Sequence, residues 1–175
     1  SGGMHGANRL GGNSLSDLLV FGKLAGAGVS DYIKKLNQKP QIDDDQIKFI
    51  IRNATVILNR ESGENPYLLH EKLVENMQNS VGIVRTEKLL SEGITKLEDL
   101  KLSYKNIKAS GASQYNPGWH EALALRNLII TAESVARSAL MREESRGAHT
   151  RVDFPGEKDD WLEYNVVISK NEIGE

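Results

Sequence analysis

Asn116-Pro117-Gly118-Trp119-His120-Glu121-Ala122-Leu123-Ala124-Leu125-Arg126-Asn127-Leu128-Ile129-Ile130-Thr131-Ala132-Glu133-Ser134-Val135-Ala136-Arg137-Ser138-Ala139-Leu140 is the stretch on which the fold turns. Asn116 is a helix N-cap. Pro117 suits the first helical position, where a missing N–H costs nothing and the fixed φ already fits. From there Leu125, Leu128, Ile129, Ala132, Val135, Ala136, Ala139 and Leu140 recur at helical spacing. They predict one inward-facing apolar side on a helix running to about Arg142.

The segments before it read the same way. Asp43-Asp44-Asp45 puts acid at the positive end of a helix whose stripe is Ile47, Ile50, Ile51, Ala54, Ile57 and Leu58. Glu61 to Pro66 is a turn, and the next helix carries Leu68, Leu69, Leu73, Met77 and Val81 before faltering at Gly82. Arg85 or Thr86 opens a further helix with Leu90, Leu97, Leu100, Tyr104 and Ile107 on one side. Residues 108–115 are a small polar loop. The fold class is therefore mainly α: residues 37–142 form a helical bundle of three to four helices, and the polar linker 37–42 marks a domain boundary.

Outside this bundle the pattern changes twice. Residues 1–36 begin as a Gly/Asn-rich loop, with Asn13-Ser14 as a helix N-cap followed by Leu15, Leu18, Leu19, Phe21 and Leu24. Gly26 and Gly28 weaken or end that helix, and Ser30 caps a short extension to about Leu36. After Glu143 the helical pattern stops. Residues 143–175 are an irregular segment packing on the bundle, with a turn at Phe154-Pro155-Gly156 and at most one short strand, at Asn165 to Ile168.

Composition narrows the chemistry. The 175 residues hold 22 basic and 24 acidic side chains, a net charge of −2 that gives no reason to expect a nucleic-acid binder. With 39% hydrophobic and 26% charged residues the composition is globular. There is no cysteine, which excludes disulfides, thiolate metal sites and a cysteine nucleophile within the chain. No apolar run approaches the roughly 20 residues that span a bilayer. His5, His70, His120 and His149 show no metal-ligand spacing, so no metal site is expected. Trp119 and Trp161 read as core anchors. Eight of the 16 glycines fall in the first 28 residues, at Gly2, Gly3, Gly6, Gly11, Gly12, Gly22, Gly26 and Gly28.

Two segments carry candidate chemistry. In the first, His5 to Leu15, a flexible backbone runs into a helix N-terminus, where unsatisfied N–H groups and a partial positive charge receive electron-rich oxygens. Arg9 adds a planar fork suited to a carboxylate. The same residues are also compatible with a plain surface loop, and they match no dinucleotide or phosphate-loop fingerprint. In the second, Arg146, His149 and Arg151 concentrate cationic and imidazole groups just after a long helix. That arrangement suits docking of a partner or an acidic group, or complementing of the helix dipole.

Three blocks carry a resemblance. His5-Gly6-Ala7-Asn8-Arg9-Leu10-Gly11-Gly12-Asn13-Ser14-Leu15 through Val20-Phe21-Gly22 resembles a long motif of the succinate dehydrogenase/fumarate reductase flavoprotein subunits. Asn116-Pro117-Gly118-Trp119-His120 through Arg126-Asn127 is similar to the same family. So is Glu144-Ser145-Arg146-Gly147-Ala148-His149-Thr150-Arg151 with Asp153-Phe154-Pro155. The resemblance implies the C-terminal part of a longer flavoprotein that interconverts succinate and fumarate. Residues 1–36 would then be the last piece of its FAD-binding domain, and the bundle its C-terminal helical domain.

By the same resemblance Arg9 grips a carboxylate of the dicarboxylate substrate, and Ser14 and Leu15 contact FAD at the helix start. Gly11 and Gly12 let backbone approach the flavin. No catalytic acid or base lies in this chain, which carries no Gly-x-Gly-x-x-Gly fingerprint, so the fragment alone is expected to be inactive and without FAD. The implied partners are an iron–sulfur subunit and, through it, membrane anchor subunits. The implied location is cytoplasmic, peripheral to the inner face of the cell membrane. Two other readings stay open: L-aspartate oxidase, which Gly11-Gly12 and the Asn116–His120 block fit less well, and a helical docking module acting only through Arg146, His149 and Arg151.

Overall fold

A computed structural model describes His5 and residues 8–169. Among these residues are five α-helices, α1 (Asn13–Lys35), α2 (Asp44–Asn59), α3 (Pro66–Ser80), α4 (Glu87–Tyr104) and α5 (Pro117–Met141). Two short strands, β1 (Val84–Arg85) and β2 (Thr150–Arg151), and a 3-10 turn at Asp159–Leu162 complete the elements. Backbone contacts divide the chain into two units, meeting inside α2 between Gln46 and Ile47.

In the first unit α1 is one unbroken helix. Its cap position is Gly12, not Asn13, with φ +85° and no side-chain cap. Glycine takes that left-handed backbone without a Cβ penalty, so the turn is made one residue earlier than a polar cap would make it. Gly26 and Gly28 lie inside the helix. Each costs about 1 kcal/mol relative to Ala, too little to stop a 23-residue helix whose neighbours are Leu24, Ala25, Ala27 and Val29. Within this chain none of α1 is buried, and Leu15, Leu18, Leu19 and Leu24 stand open.

In the second unit α3, α4 and α5 pack on one another around a core that includes Leu69, Leu73, Leu90, Leu97, Leu125 and Ile129. Local signals set the starts of these helices. Asn65 accepts from Tyr67 N at 2.9 Å, Thr86 from Leu89 N at 3.2 Å, and Asn116 from Trp119 N at 2.9 Å. Pro66 and Pro117 occupy the first helical positions.

On α5 the buried stripe is Ala122, Leu125, Ile129, Ala132, Ala136 and Ala139. Its 3-4-3-4-3 spacing is narrower than the sequence suggests: Leu128 (40% exposed) and Val135 (41%) flank it, because alanines let the neighbouring helices come close and leave the edges uncovered. Leu68 likewise faces outward on α3.

The close approach of α3 and α4 is made at Gly93. A Cβ there would lie 2.8 Å from Ser80 Cβ, and the Gly93 carbonyl accepts from Asn76 Nδ2 at 2.9 Å. A second crossing lies at Gly63, where a Cβ would be 2.2 Å from the Asn106 carbonyl. There Glu64 N donates to Asn106 O (2.9 Å) and Lys108 N to Glu64 O (3.0 Å).

Of the expected α2 stripe only Ile57 is buried; Ile47, Ile50 and Ile51 are exposed. The tie to the bundle is confined to the C-terminal turns of α2. Trp119 Nε1 donates to Ala54 O at 2.8 Å and Ala109 N to Ile57 O at 3.2 Å.

The last segment returns to the start of α4. β1 and β2 pair in parallel, Val84 with Thr150 and Arg85 with Arg151, and Val152 N donates to Arg85 O at 2.9 Å. Asn165 to Ile168 forms no strand. Its three consecutive apolar residues, Val166, Val167 and Ile168, carry no strand alternation, whereas the short ribbon is set by packing that brings distant residues together.

Candidate functional site

The loop before α1 is the first candidate. Arg9 is exposed, and its guanidinium has no partner among the described residues; its backbone N–H donates to Asn8 Oδ1 at 2.8 Å. The chain then turns at Gly12, with Asn13 N donating to Leu10 O (3.2 Å) and Leu15 N to Gly12 O (3.1 Å). Ser14 and Leu15 sit in the first helical turn, which no side chain caps. A Cβ at Gly11 or Gly12 would meet nothing within 4 Å, so Gly12 is required by its φ and not by crowding within this chain.

His5 Nε2 meets Asp17 Oδ2, folding the loop back on the second turn of α1. No pattern along the chain announces that contact, because neither residue stands in a local capping motif. Gly2, Gly3, Gly6 and Ala7 lie outside the described residues.

The second candidate, after α5, is a layered ionic cluster. Arg151 is 1% exposed. Its Nε and Nη2 donate to the two oxygens of Asp153, both at 2.8 Å, and Nη1 donates to the carbonyls of Ala139 (3.1 Å) and Leu140 (3.0 Å). It thus satisfies orphan carbonyls at the end of α5 and completes a bidentate pair. The ring of Phe154 lies 4.7 Å from its guanidinium. Expected among the docking residues, Arg151 shapes the segment from inside. The paired arginine holds the Asp153 carboxyl well below its usual range, and the Glu87 N–H donating to it at 2.7 Å adds to that.

Glu144 is fully buried. Arg146 donates to both its oxygens at 3.0 Å, Lys158 N–H donates at 2.9 Å, and Arg142 Nη1 also contacts it. Hydrogen bonds from Arg146, with Lys158 and Arg142 adding, hold its carboxyl at about 2 against the opposing effect of burial. Arg146 also reaches Glu157 at 3.0 Å. Arg146 and His149 flank a two-residue hairpin in which Gly147 takes φ +59°.

His149 is half-buried. Nε2 lies 3.0 Å from Arg142 O and Nδ1 lies 2.7 Å from Arg85 Nη1. Only one tautomer suits both neighbours: Nε2–H donates to the carbonyl, and Nδ1 accepts from arginine. Burial lowers its pKa, and the charges of Arg85, Arg151 and Arg142 lower it further.

Sequence reading missed Arg85, Arg142, Glu144 and Asp153 as members of this cluster. Glu144 and Asp153 flank the Arg146–Arg151 stretch and were within reach of a reading that paired acids with bases. Arg85 had no such signal, since it lies 64 residues from His149. Among the described residues no group of three or more His, Asp or Glu side chains is arranged to hold a metal, and no helix is long and apolar enough to cross a membrane.

Residues 70–175, which hold most of α3, all of α4 and α5 and this cluster, match the family model described as fumarate reductase flavoprotein C-term. The chain belongs to the succinate dehydrogenase/fumarate reductase flavoprotein family. It is 36% identical over 177 residues to a fumarate reductase (CoM/CoB) subunit of Methanothermobacter marburgensis, covering 98% of this chain and 31% of that protein. It is 34% identical to the succinate dehydrogenase flavoprotein subunit of Rickettsia bellii, covering 93% and 28% respectively. Among solved structures, the Mycobacterium smegmatis Sdh1 complex in the apo form superposes with a TM-score of 0.88 at 45% identity, over 92% of this chain and 27% of that one. The chain thus spans less than a third of the length of these flavoprotein relatives.

Proposed function

We propose that this chain works as part of a flavoprotein that interconverts succinate and fumarate and passes the electrons to an iron–sulfur subunit. FAD, when bound, supplies the hydride acceptor or donor. The observation that carries the reading is Arg9, an exposed guanidinium with no partner among the described residues, three residues ahead of a left-handed Gly12 turn and an uncapped helix start. Arg9 grips one carboxylate of the dicarboxylate by a bidentate contact and so fixes the carbon chain for reaction.

The residues present fit one edge of a flavin. The first turn of α1, at Ser14 and Leu15, offers backbone N–H groups and the positive end of the helix dipole to electron-rich ring oxygens. Gly11 and Gly12 leave the approach free of side chains. The chain alone is inactive in this reading, because it spans less than a third of the length of its flavoprotein relatives and no acid or base for the proton that accompanies the hydride is assigned among its residues. Arg146 and His149 belong to the surface that meets the iron–sulfur subunit, and Arg151 braces that surface from within.

The test is Arg9→Lys in the whole protein. A lysine keeps the charge and loses the fork, so kcat/KM for succinate should fall by about 100-fold or more, equivalent to roughly 3 kcal/mol. Retention of full activity would remove Arg9 from the substrate site.

A further inference from the structure

Beside the ionic cluster, α5 and the returning segment line a cavity of about 490 Å³, open to solvent, that includes Arg85, Val135, Ser138, Arg142, His149 and Val166 in its wall. Among the described residues, no acidic side chain lines it. The arginines of the neighbouring segment each have a carboxylate: Arg142 and Arg146 share Glu144, and Arg151 has Asp153. Arg85 has none among the described residues. Its Nε donates to the Gly82 carbonyl at 2.7 Å and Nη1 to His149 Nδ1 at 2.7 Å, while Nη2 finds no acceptor among those residues.

Arg85 is half-buried, and burial lowers its pKa, which marks the cost of a guanidinium partly removed from water with no anion beside it. His149 does not relieve that cost, because its Nδ1 accepts as a neutral group. The backbone of Arg85 is pinned by the β1–β2 ribbon, so the side chain is held at the cavity wall. Exposed Val135 and half-buried Val166 beside it would keep water from a group paired with Arg85, the setting in which an interfacial arginine contributes most.

We propose that this cavity receives an aspartate or glutamate side chain of a partner polypeptide, and that Arg85 is the anchor that pairs with it. The inference deepens the proposed function: it rests on the reading that an electron-accepting subunit assembles on this chain, and it assigns one contact of that assembly. The carboxylate takes the free Nη2 position, and its methylene stem lies along Val135 and Val166.

The experiment uses the whole protein purified together with its co-assembling subunit. In an Arg85→Lys variant, a carbodiimide should link position 85 to an Asp or Glu of that subunit, read by mass spectrometry of the joined peptides. In Arg85→Gln, the dissociation constant for the subunit should rise about tenfold or more and its salt dependence should flatten. If Arg85→Gln does not fold, the charge-preserving variant still decides the matter by its cross-link.

Linkage of position 85 only to acids of its own chain, or to nothing, while the subunit stays bound would overturn the inference alone. So would Arg85-dependent binding of N-acetyl-L-glutamate to the intact assembly without any such cross-link, which would mark a free small-carboxylate site. If no subunit co-purifies with the wild-type protein, the assembly reading falls and this inference falls with it.

Discussion

Adding one methyl group at Gly93 tests how α3 and α4 meet. The new Cβ would lie 2.8 Å from Ser80 Cβ and 3.2 Å from Val81 Cγ2. Ser80 Cβ is fixed to its own backbone, so relief requires the helices to move apart. Three terms decide the sign. Alanine gains roughly 1 kcal/mol over glycine in a helix interior. Overpacking a close contact costs about 1–3 kcal/mol. Separation also strains the buried 2.9 Å bond from Asn76 Nδ2 to Gly93 O, a loss of about 1 kcal/mol.

The cost wins, and Gly93→Ala should destabilise the fold by roughly 1–3 kcal/mol, with Tm falling about 2–4 °C per kcal/mol in a chain of this size. Urea unfolding followed by far-UV circular dichroism measures it, with the m-value unchanged. In a Ser80→Gly background the obstructing Cβ is gone, and the same substitution should cost little. A gain of about 1 kcal/mol from Gly93→Ala in the wild-type background would refute the close approach, since helix propensity would then be acting unopposed.

Two pH-dependent outcomes follow from the ionic cluster. Glu144, at about 2 in the fold against an ordinary value of 4.5, has a depressed pKa. Its stabilisation is therefore present above pH 4.5 and lost as pH falls through about 2. Glu144→Gln should lower Tm at neutral pH, with the gap to wild type closing towards pH 2; a constant gap would contradict the ion pairing. His149 is also lowered from 6.5, so the fold prefers its neutral form. Its contribution is present above pH 6.5 and declines as pH falls further. Nitrogen NMR should show the ring protonated on Nε2 when neutral and titrating at lower pH than an ordinary histidine; a midpoint at or above the ordinary value, or a neutral ring protonated on Nδ1, would refute the assignment.

The parts of the fold legible in the sequence were those set by neighbours along the chain. Asn116-Pro117 marks a helix start because cap and proline act locally, and α5 begins where those residues say. The turn read from Glu61 to Pro66 leads directly into α3, whose Asn65 cap the sequence reading did not single out. The Gly12 start was hidden by Asn13-Ser14, which read as a better polar cap than the glycine turn before them. Leu128 and Val135 read as core because periodicity counts apolar residues and not the room that the alanines leave between helices. The ribbon was invisible: two strands of two residues each carry no alternation.

At the candidate sites the residue types were legible and their depth was not. Arg9 reads as an available fork in the sequence, and its guanidinium has no partner among the described residues. Arg146, His149 and Arg151 look alike on paper, yet one is turned wholly inward because Asp153 and the carbonyl ends of α5 claim it. Arg85 reads only as a candidate helix start, since its contact with His149 depends on what lies opposite it after folding.

The clasp between residues 84–87 and 150–153 bears on the order in which the chain takes shape. Glu87 N and Asp153 Oδ2 are 66 residues apart. Closing a floppy loop of that length would cost roughly 4 kcal/mol in its length-dependent part alone. The packing of α4 against α5 removes most of that search before the clasp is made. Asp153 follows all three bundle helices in the chain, so the Glu87 N–H at the start of α4 gains its acceptor only from a residue synthesised after them. The arrival of residues 150–153 gives the Glu87 N–H its acceptor and pins the backbone of Arg85 through the ribbon.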